Sequence, residues 1–388
     1  MMTPSTAAQA DQLARYQRFL ALDPDNLQLL GDVADLSLSL GQLPLTEQTL
    51  RHGLHHHPGD PRLTNLRALL AFQQGDWAEA EYLLSGLLAQ QDDPSLRYNL
   101  AYACYQQGDY PRVRQLLGEP PLDWAALPQA AILQILTLHQ LGELDDAIAL
   151  ALSILPARAG DAELAGELAL LYLDNDDVSA CQHWAAQALQ WQADQPYALV
   201  AAGTLSIGQG EPTLARQQFQ RVLDRQPHNG RAWSGLGIAH LAMQDLQQGK
   251  QALEQAVQHM PEHIGTWHAL AWVYLMEGDW AAAEHSFQQA YDLDPNFGES
   301  HGGLGVMALL RNDSERAAGL LARARRLAPG SMAVRYAEII QAQRQGQGEA
   351  VQQILQRALA DLPVLGAGRL EDVLRQRPAR AVDDERDE

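Results

Sequence analysis

The chain has 388 residues and a formal charge of −21 at pH 7, with 48 acidic against 27 basic side chains. Phosphate binding needs a basic stripe that releases counterions, and none is present, so nucleic acid is not an expected partner. No apolar run reaches the ~18 residues that mark a membrane-spanning helix. Met1 to Ala10 lacks a basic region followed by an apolar stretch; no secretory signal is expected, and the expected compartment is the cytoplasm. Ala, Leu and Gln abound and Lys250 is the only lysine, a bias that fits a GC-rich bacterial gene.

In chain order, residues 7 to 23 are predicted as a helix with Leu13, Tyr16, Phe19 and Leu20 on one face, stopped by Pro24. From residue 27 a period of 34 takes over. Pro24 and Pro58 show it first, and Pro227, Pro261, Pro295, Pro329 and Pro363 repeat it in four consecutive steps. Such a period predicts an array of helix-turn-helix units, each contacting only its neighbours. Ten units begin near residues 27, 61, 94, 128, 162, 196, 230, 264, 298 and 332.

Recurring positions have physical roles. The eighth residue is small (Ala34, Ala68, Ala101, Ala169, Gly203, Gly237, Ala271, Gly305), as is the twentieth (Ala80, Ala147, Cys181, Ala215, Ala283, Ala317), so the two helices of a unit can approach closely. The fifteenth is glycine in seven units, from Gly41 to Gly346, with Asn312 in another; a left-handed residue is expected to end the first helix there. The pattern falters at Gly118-Glu119-Pro120-Pro121, at Pro156, and at Asp174 to Asp177. A kink is expected over 118–127. The expected organisation is an amino-terminal half-repeat over 1–26, three repeats over 27–127, seven over 128–365, and a capping helix with a charged tail over 366–388.

The clearest unit runs Trp267, Leu270, Ala271, Tyr274, Gly278, Asp279, Trp280, Ala283, Phe287, Ala290, Pro295. With Trp233, Leu236, Gly237, Ala256 and Pro261 before it, the chain resembles the tetratricopeptide repeat family. The resemblance implies an all-α, right-handed superhelical solenoid of about ten repeats, whose concave face holds an extended or helical peptide.

Cys104 and Cys181 fall at core positions and are expected as small buried hydrophobes. His52 and His56, within the run to His57, are four apart and could chelate a divalent metal. They also suit the negative end of a helix, and that reading is preferred. Asp174, Asp176 and Asp177 lack the further oxygen ligands of a calcium loop. No Walker loop, nucleophile elbow or paired-cysteine motif occurs. The chain is therefore expected to be no enzyme, with no metal and no cofactor.

Positions nine and twelve of the first helices lie away from the intra-unit contact, yet they are apolar. Position nine carries Leu69, Tyr102, Leu136, Leu170, Ile238, Trp272, Val306 and Ile340; position twelve includes Phe72, Tyr105, Leu275 and Leu309. Packing on the next unit is one explanation, and a functional apolar groove is the other. The candidate partner-binding residues are Phe72, Tyr98, Tyr102, Tyr105 and Leu136 in one region and His268, Trp272, Leu275 and Tyr336 in another. The expected function is a chaperone-like scaffold or adaptor holding an apolar segment of a partner protein. The groove is similar to those of bacterial secretion chaperones, although this chain is far longer. Two alternatives stay open: a structural subunit of a bacterial secretion or envelope assembly, binding by its convex face or end repeats, and a homodimer.

Overall fold

The computed structural model describes residues 4–118, 123–124, 126–349 and 351–354. Twenty α-helices follow one another, with no strand among the described residues: α1 Pro4–Leu22, then pairs α2 Leu27–Ser39 and α3 Leu43–His56, α4 Pro61–Gln74 and α5 Trp77–Leu88, α6 Pro94–Gln106 and α7 Tyr110–Gly118, α8 Pro128–Gln140 and α9 Leu144–Ile154. A 3-10 turn, Leu155–Arg158, carries Pro156. The pairs resume with α10 Ala162–Asp174 and α11 Val178–Trp191, α12 Pro196–Gly208 and α13 Pro212–Leu223, α14 Gly230–Ala242 and α15 Leu246–His259, α16 Ile264–Glu277 and α17 Trp280–Leu293, α18 Gly298–Leu310 and α19 Ser314–Leu327, ending with α20 Met332–Arg344. Within each of two stretches, α1 to α9 and α10 to α20, every helix packs on its successor, and several first helices also pack on the next first helix, as α2 does on α4, α10 on α12 and α18 on α20. This is an all-α helical repeat solenoid.

The chain divides into two compact units, Met1–Ala159 and Gly160–Glu388. The expected boundary at 127/128 lies inside the first of them. Residues 119–122 and 125 of the expected kink, the close of the tenth repeat, and the capping helix and tail expected over 366–388 lie outside the described residues.

The helix ends follow from local chemistry. All ten residues at position fifteen have positive φ: seven glycines, and Asp176, Gln244 and Asn312. Asp176 thus explains the irregular acidic turn, since a short polar side chain tolerates the left-handed region. The Asp one residue later in six units is the N-cap of the second helix: Asp76, Asp109, Asp177, Asp245, Asp279 and Asp313 accept from an amide three residues on, at 2.9 to 3.2 Å. The fourth residue of three consecutive units ties the entering loop down. Trp233 and Trp267 Nε1 donate to the Pro227 and Pro261 carbonyls at 2.7 Å, and His301 Nε2 lies 2.8 Å from that of Pro295.

The small residues at positions eight and twenty are buried throughout. At Gly237 an added Cβ would sit 2.7 Å from Leu253 Cγ, so helix contact there requires glycine. A second close fit occurs twice in the Gly160–Glu388 unit. Phe219 and Phe287, both fully buried, press against Gly235 and Gly303, where an added Cβ would come 2.3 Å from a ring carbon. Cys104 and Cys181 are free and buried, and burial pushes each thiol up to about 11. They are thus held as thiols at neutral pH, as small buried side chains.

Candidate protein-binding face

In the Met1–Ala159 unit, helical spacing puts Tyr98, Tyr102 and Tyr105 on one side of α6, with Phe72 on α4 beside them. Phe72, Trp77 and Tyr102 form a triangle of rings with centroids 5.8 to 6.0 Å apart, two of the three contacts edge-on. Such offset geometry satisfies the ring quadrupoles. Tyr98 joins at 6.4 Å from Tyr102, and Tyr105 contacts Tyr110 edge-on at 5.4 Å. Beneath lies a core of Ala68, Leu84, Leu100, Ala101, Cys104, Val113 and Leu117. The rings themselves are half-buried, as is Leu136 on α8. Burial, then Tyr102, raises the Tyr98 phenol above its ordinary range, so it remains neutral.

Trp77 and Tyr110 were not among the expected site residues. Both are the first residue of a second helix, directly after the Gly-Asp turn, as is Trp280. That recurring aromatic at position seventeen was the available signal. An ion pair flanks the group: the Arg67 guanidinium grips Glu79 with two bonds of 2.7 and 2.9 Å.

The second expected region behaves differently. His268 is buried, with Nε2 2.9 Å from Ser300 Oγ and its ring 5.5 Å from both Phe287 and Phe297. Burial alone lowers its imidazole to about 4, so it is a neutral interior residue. Leu275 is also buried. Neither offers a surface to a partner, because first helices in this unit pack on one another through these positions. Trp272 packs edge-on against Phe287 at 5.7 Å and Tyr336 at 5.6 Å, and both Trp272 and Tyr336 stay half-buried. Position nine divides in the same way. Leu69, Tyr102 and Leu136 are half-buried in the first unit; in the second Leu170, Val306 and Ile340 are buried, while Ile238 and Trp272 are half-buried.

No helix among the described residues is long and apolar enough to cross a membrane. Structural neighbours share the architecture at low identity. A human IFIT1 dimer with m7Gppp-AAAA aligns with a TM-score of 0.55 at 14% identity, over 93% of this chain and 91% of that one. The APC/C hetero-tetramer Cut9-Hcn1 aligns at 0.50 and 13% identity, over 91% and 84%. These likenesses concern the fold alone.

A stacked array of helical hairpins with an apolar face defines a protein–protein interaction scaffold. The chain belongs to the tetratricopeptide repeat family: profiles of that repeat match residues 45–94, 71–134, 229–296 and 268–331. The family is in general a non-enzymatic interaction fold. Two transcriptional corepressors are similar over part of the chain. One is ssn6 of Schizosaccharomyces pombe, 30% identical over 137 residues, 34% of this chain. The other is trfA of Dictyostelium discoideum, 32% identical over 88 residues, 22% of this chain. The aligned regions span 12% and 6% of those relatives' lengths.

Proposed function

We propose that the chain is a chaperone-like adaptor that holds an apolar segment of a partner polypeptide on the first-helix face of the Met1–Ala159 unit. Phe72, Trp77, Tyr98 and Tyr102 form the centre, with Tyr105 and Leu136 beside them. The observation that carries this reading is the half-exposed triangle of Phe72, Trp77 and Tyr102. Rigid aromatics supply large contact area at small entropic cost, which is why they dominate binding hot spots. Covering about 600 Å² of apolar surface contributes on the order of 15 kcal/mol gross at roughly 25 cal/mol per Å². Association and ordering offset much of it, leaving a micromolar to nanomolar complex. Similarity to corepressors over part of the chain supports a scaffold rather than a catalyst. In the second unit the proposal retains only Trp272 and Tyr336 as contact residues, since His268 and Leu275 are buried.

A second reading has its own observation. Tyr82, on the second-helix side, is 79% exposed beside a cleft of about 720 Å³ lined by Gly59, Thr64, Ala78, Leu83 and Gln90. That surface suits a structural subunit docking by its outer face. A photo-crosslinking residue at position 102, with a second variant labelled at 82, separates the two in extracts of the source cell. Capture of one dominant protein from position 102 is the expected result; capture from 82 alone moves the assignment to the outer face.

A further inference from the structure

The histidine run at the end of α3 gains in three dimensions what it lacks in sequence. His52 and His56 share one helix face, with ring centroids 4.5 Å apart. The turn between α1 and α2 brings Asp25 onto them from 27 residues upstream. Its Oδ1 lies 2.8 Å from His52 Nε2 and 3.6 Å from His56 Nδ1, and the three ligand atoms all fall within 4.8 Å of one another. A tetrahedral zinc site with bonds of about 2.1 Å has edges of about 3.4 Å between donors. The two distances from Asp25 bracket that value and no pair of donors exceeds 4.8 Å, so side-chain rotations would seat an ion.

We propose that Asp25, His52 and His56 form a binding site for a divalent transition cation, with Zn²⁺ its chemical type. Two imidazoles and one carboxylate are a borderline donor set suited to zinc and its neighbours rather than to calcium or magnesium. All three side chains are 40% to 57% exposed, which admits an ion from solvent and leaves water for the fourth position. The site also lies at the carboxy-terminal end of α3, where the helix dipole favours positive charge.

The supporting contacts limit how far the ligands can wander. His57 Nε2 lies 2.6 Å from the Asp25 backbone carbonyl. Asn26, next in the chain, caps α2 through its Oδ1 to Leu29 N at 3.1 Å and donates through Nδ2 to Asp23 at 2.9 Å. The carboxylate is thus presented by a turn held on both sides. Because the ligands come from α3 and from the α1–α2 turn, a bound cation cross-links them and makes the docking of α1 metal-dependent. The inference is independent of the partner-binding proposal, and its failure would leave that proposal standing.

The test is calorimetric titration of Zn²⁺ into the full chain without an affinity tag, followed by thermal unfolding with and without the ion. The expected result is one saturable site and a raised melting temperature. Asp25→Asn, His52→Ala and His56→Ala should each weaken binding at least about ten-fold and remove the thermal shift. Helical circular dichroism of each variant reports folding, and the near-isosteric Asp25→Asn guards against loss of the helix end. Replacing His228 and His259, whose rings are 4.9 Å apart in the other unit, should change nothing. No saturable binding would overturn the proposal. So would affinity unchanged from the unsubstituted chain in the three ligand variants, or loss only in the His228/His259 variant, which would mean an adventitious ion only.

Discussion

Tyr102 and Trp272 occupy the same repeat position and end in different surroundings. Around Tyr102 the rings pack into a triangle that stays half-exposed; around Trp272 the neighbours His268, Leu275 and Phe287 are interior. The difference lies one layer down. In the second unit Phe287 stands against Gly303, and Phe219 against Gly235, so the next first helix settles onto a ring. Around Tyr102 the equivalent pair is Leu117 and Leu133, and one repeat earlier it is Leu84 and Asn99. Glycine opposite phenylalanine allows that close approach, and every residue of α18 from Ser300 to Leu309 is buried. At this repeat position Leu170, Val306 and Ile340 serve packing in the second unit, while Ile238 and Trp272 there stay half-buried, as Leu69, Tyr102 and Leu136 do in the first.

The largest effect should come from removing the ring itself. Phe287→Ala empties a fully buried site and should cost about 3–5 kcal/mol, read as a lower urea midpoint. A loss below 1 kcal/mol would mean that the ring does not organise the second unit. Gly303→Ala should cost about 1–3 kcal/mol by overpacking. Phe287→Leu, which imports the first unit's side chain, should reduce that cost, so the double mutant should be less destabilised than the two single losses added together.

Acid should also separate the units, because the buried His268 lies in the second. His268 titrates near 4 when folded and near 6.5 in a free chain. Between those values the unfolded state binds the extra proton, so stability falls as pH drops through that window. From pH 7 to pH 5 the His268 contribution is a loss of about 2 kcal/mol at about 1.4 kcal/mol per pH unit. His268→Gln should flatten that part of the pH profile of denaturation; an unchanged slope would assign the acid sensitivity elsewhere.

The triple substitution Tyr98→Ala, Tyr102→Ala and Tyr105→Ala should weaken partner binding at least about ten-fold with helicity retained. Unchanged affinity in a binding titration would remove the aromatic face from the functional proposal. The smallest effect concerns Gln244, whose φ of 77° places a side chain in the left-handed region. Gln244→Gly should raise stability by about 0.5–1 kcal/mol, relief of strain exceeding the entropy that glycine adds to the unfolded chain. A melting-temperature comparison decides its sign.

The repeat register, the helix ends and the small residues between paired helices were all legible in the sequence. They depend on local rules: proline cannot continue a helix, a left-handed residue ends one, and a small side chain permits contact. Asp176 shows how far this reaches, for an irregular acidic stretch still places a tolerant residue where the turn needs one. Trp77 was missed as a site residue although its position recurs, because nothing local says that a ring opening a second helix will fold back onto the first-helix face.

What the sequence determined is thus periodic and short-range, since each unit contacts only its neighbours and repeats the same local solution. Whether an apolar residue at position nine is accessible, whether His268 is a surface group or an interior one, and whether Asp25 meets two histidines 27 and 31 residues away were decided by tertiary structure alone. Those outcomes depend on how closely successive helices approach, which is set by contacts between neighbouring repeats rather than by any segment taken by itself.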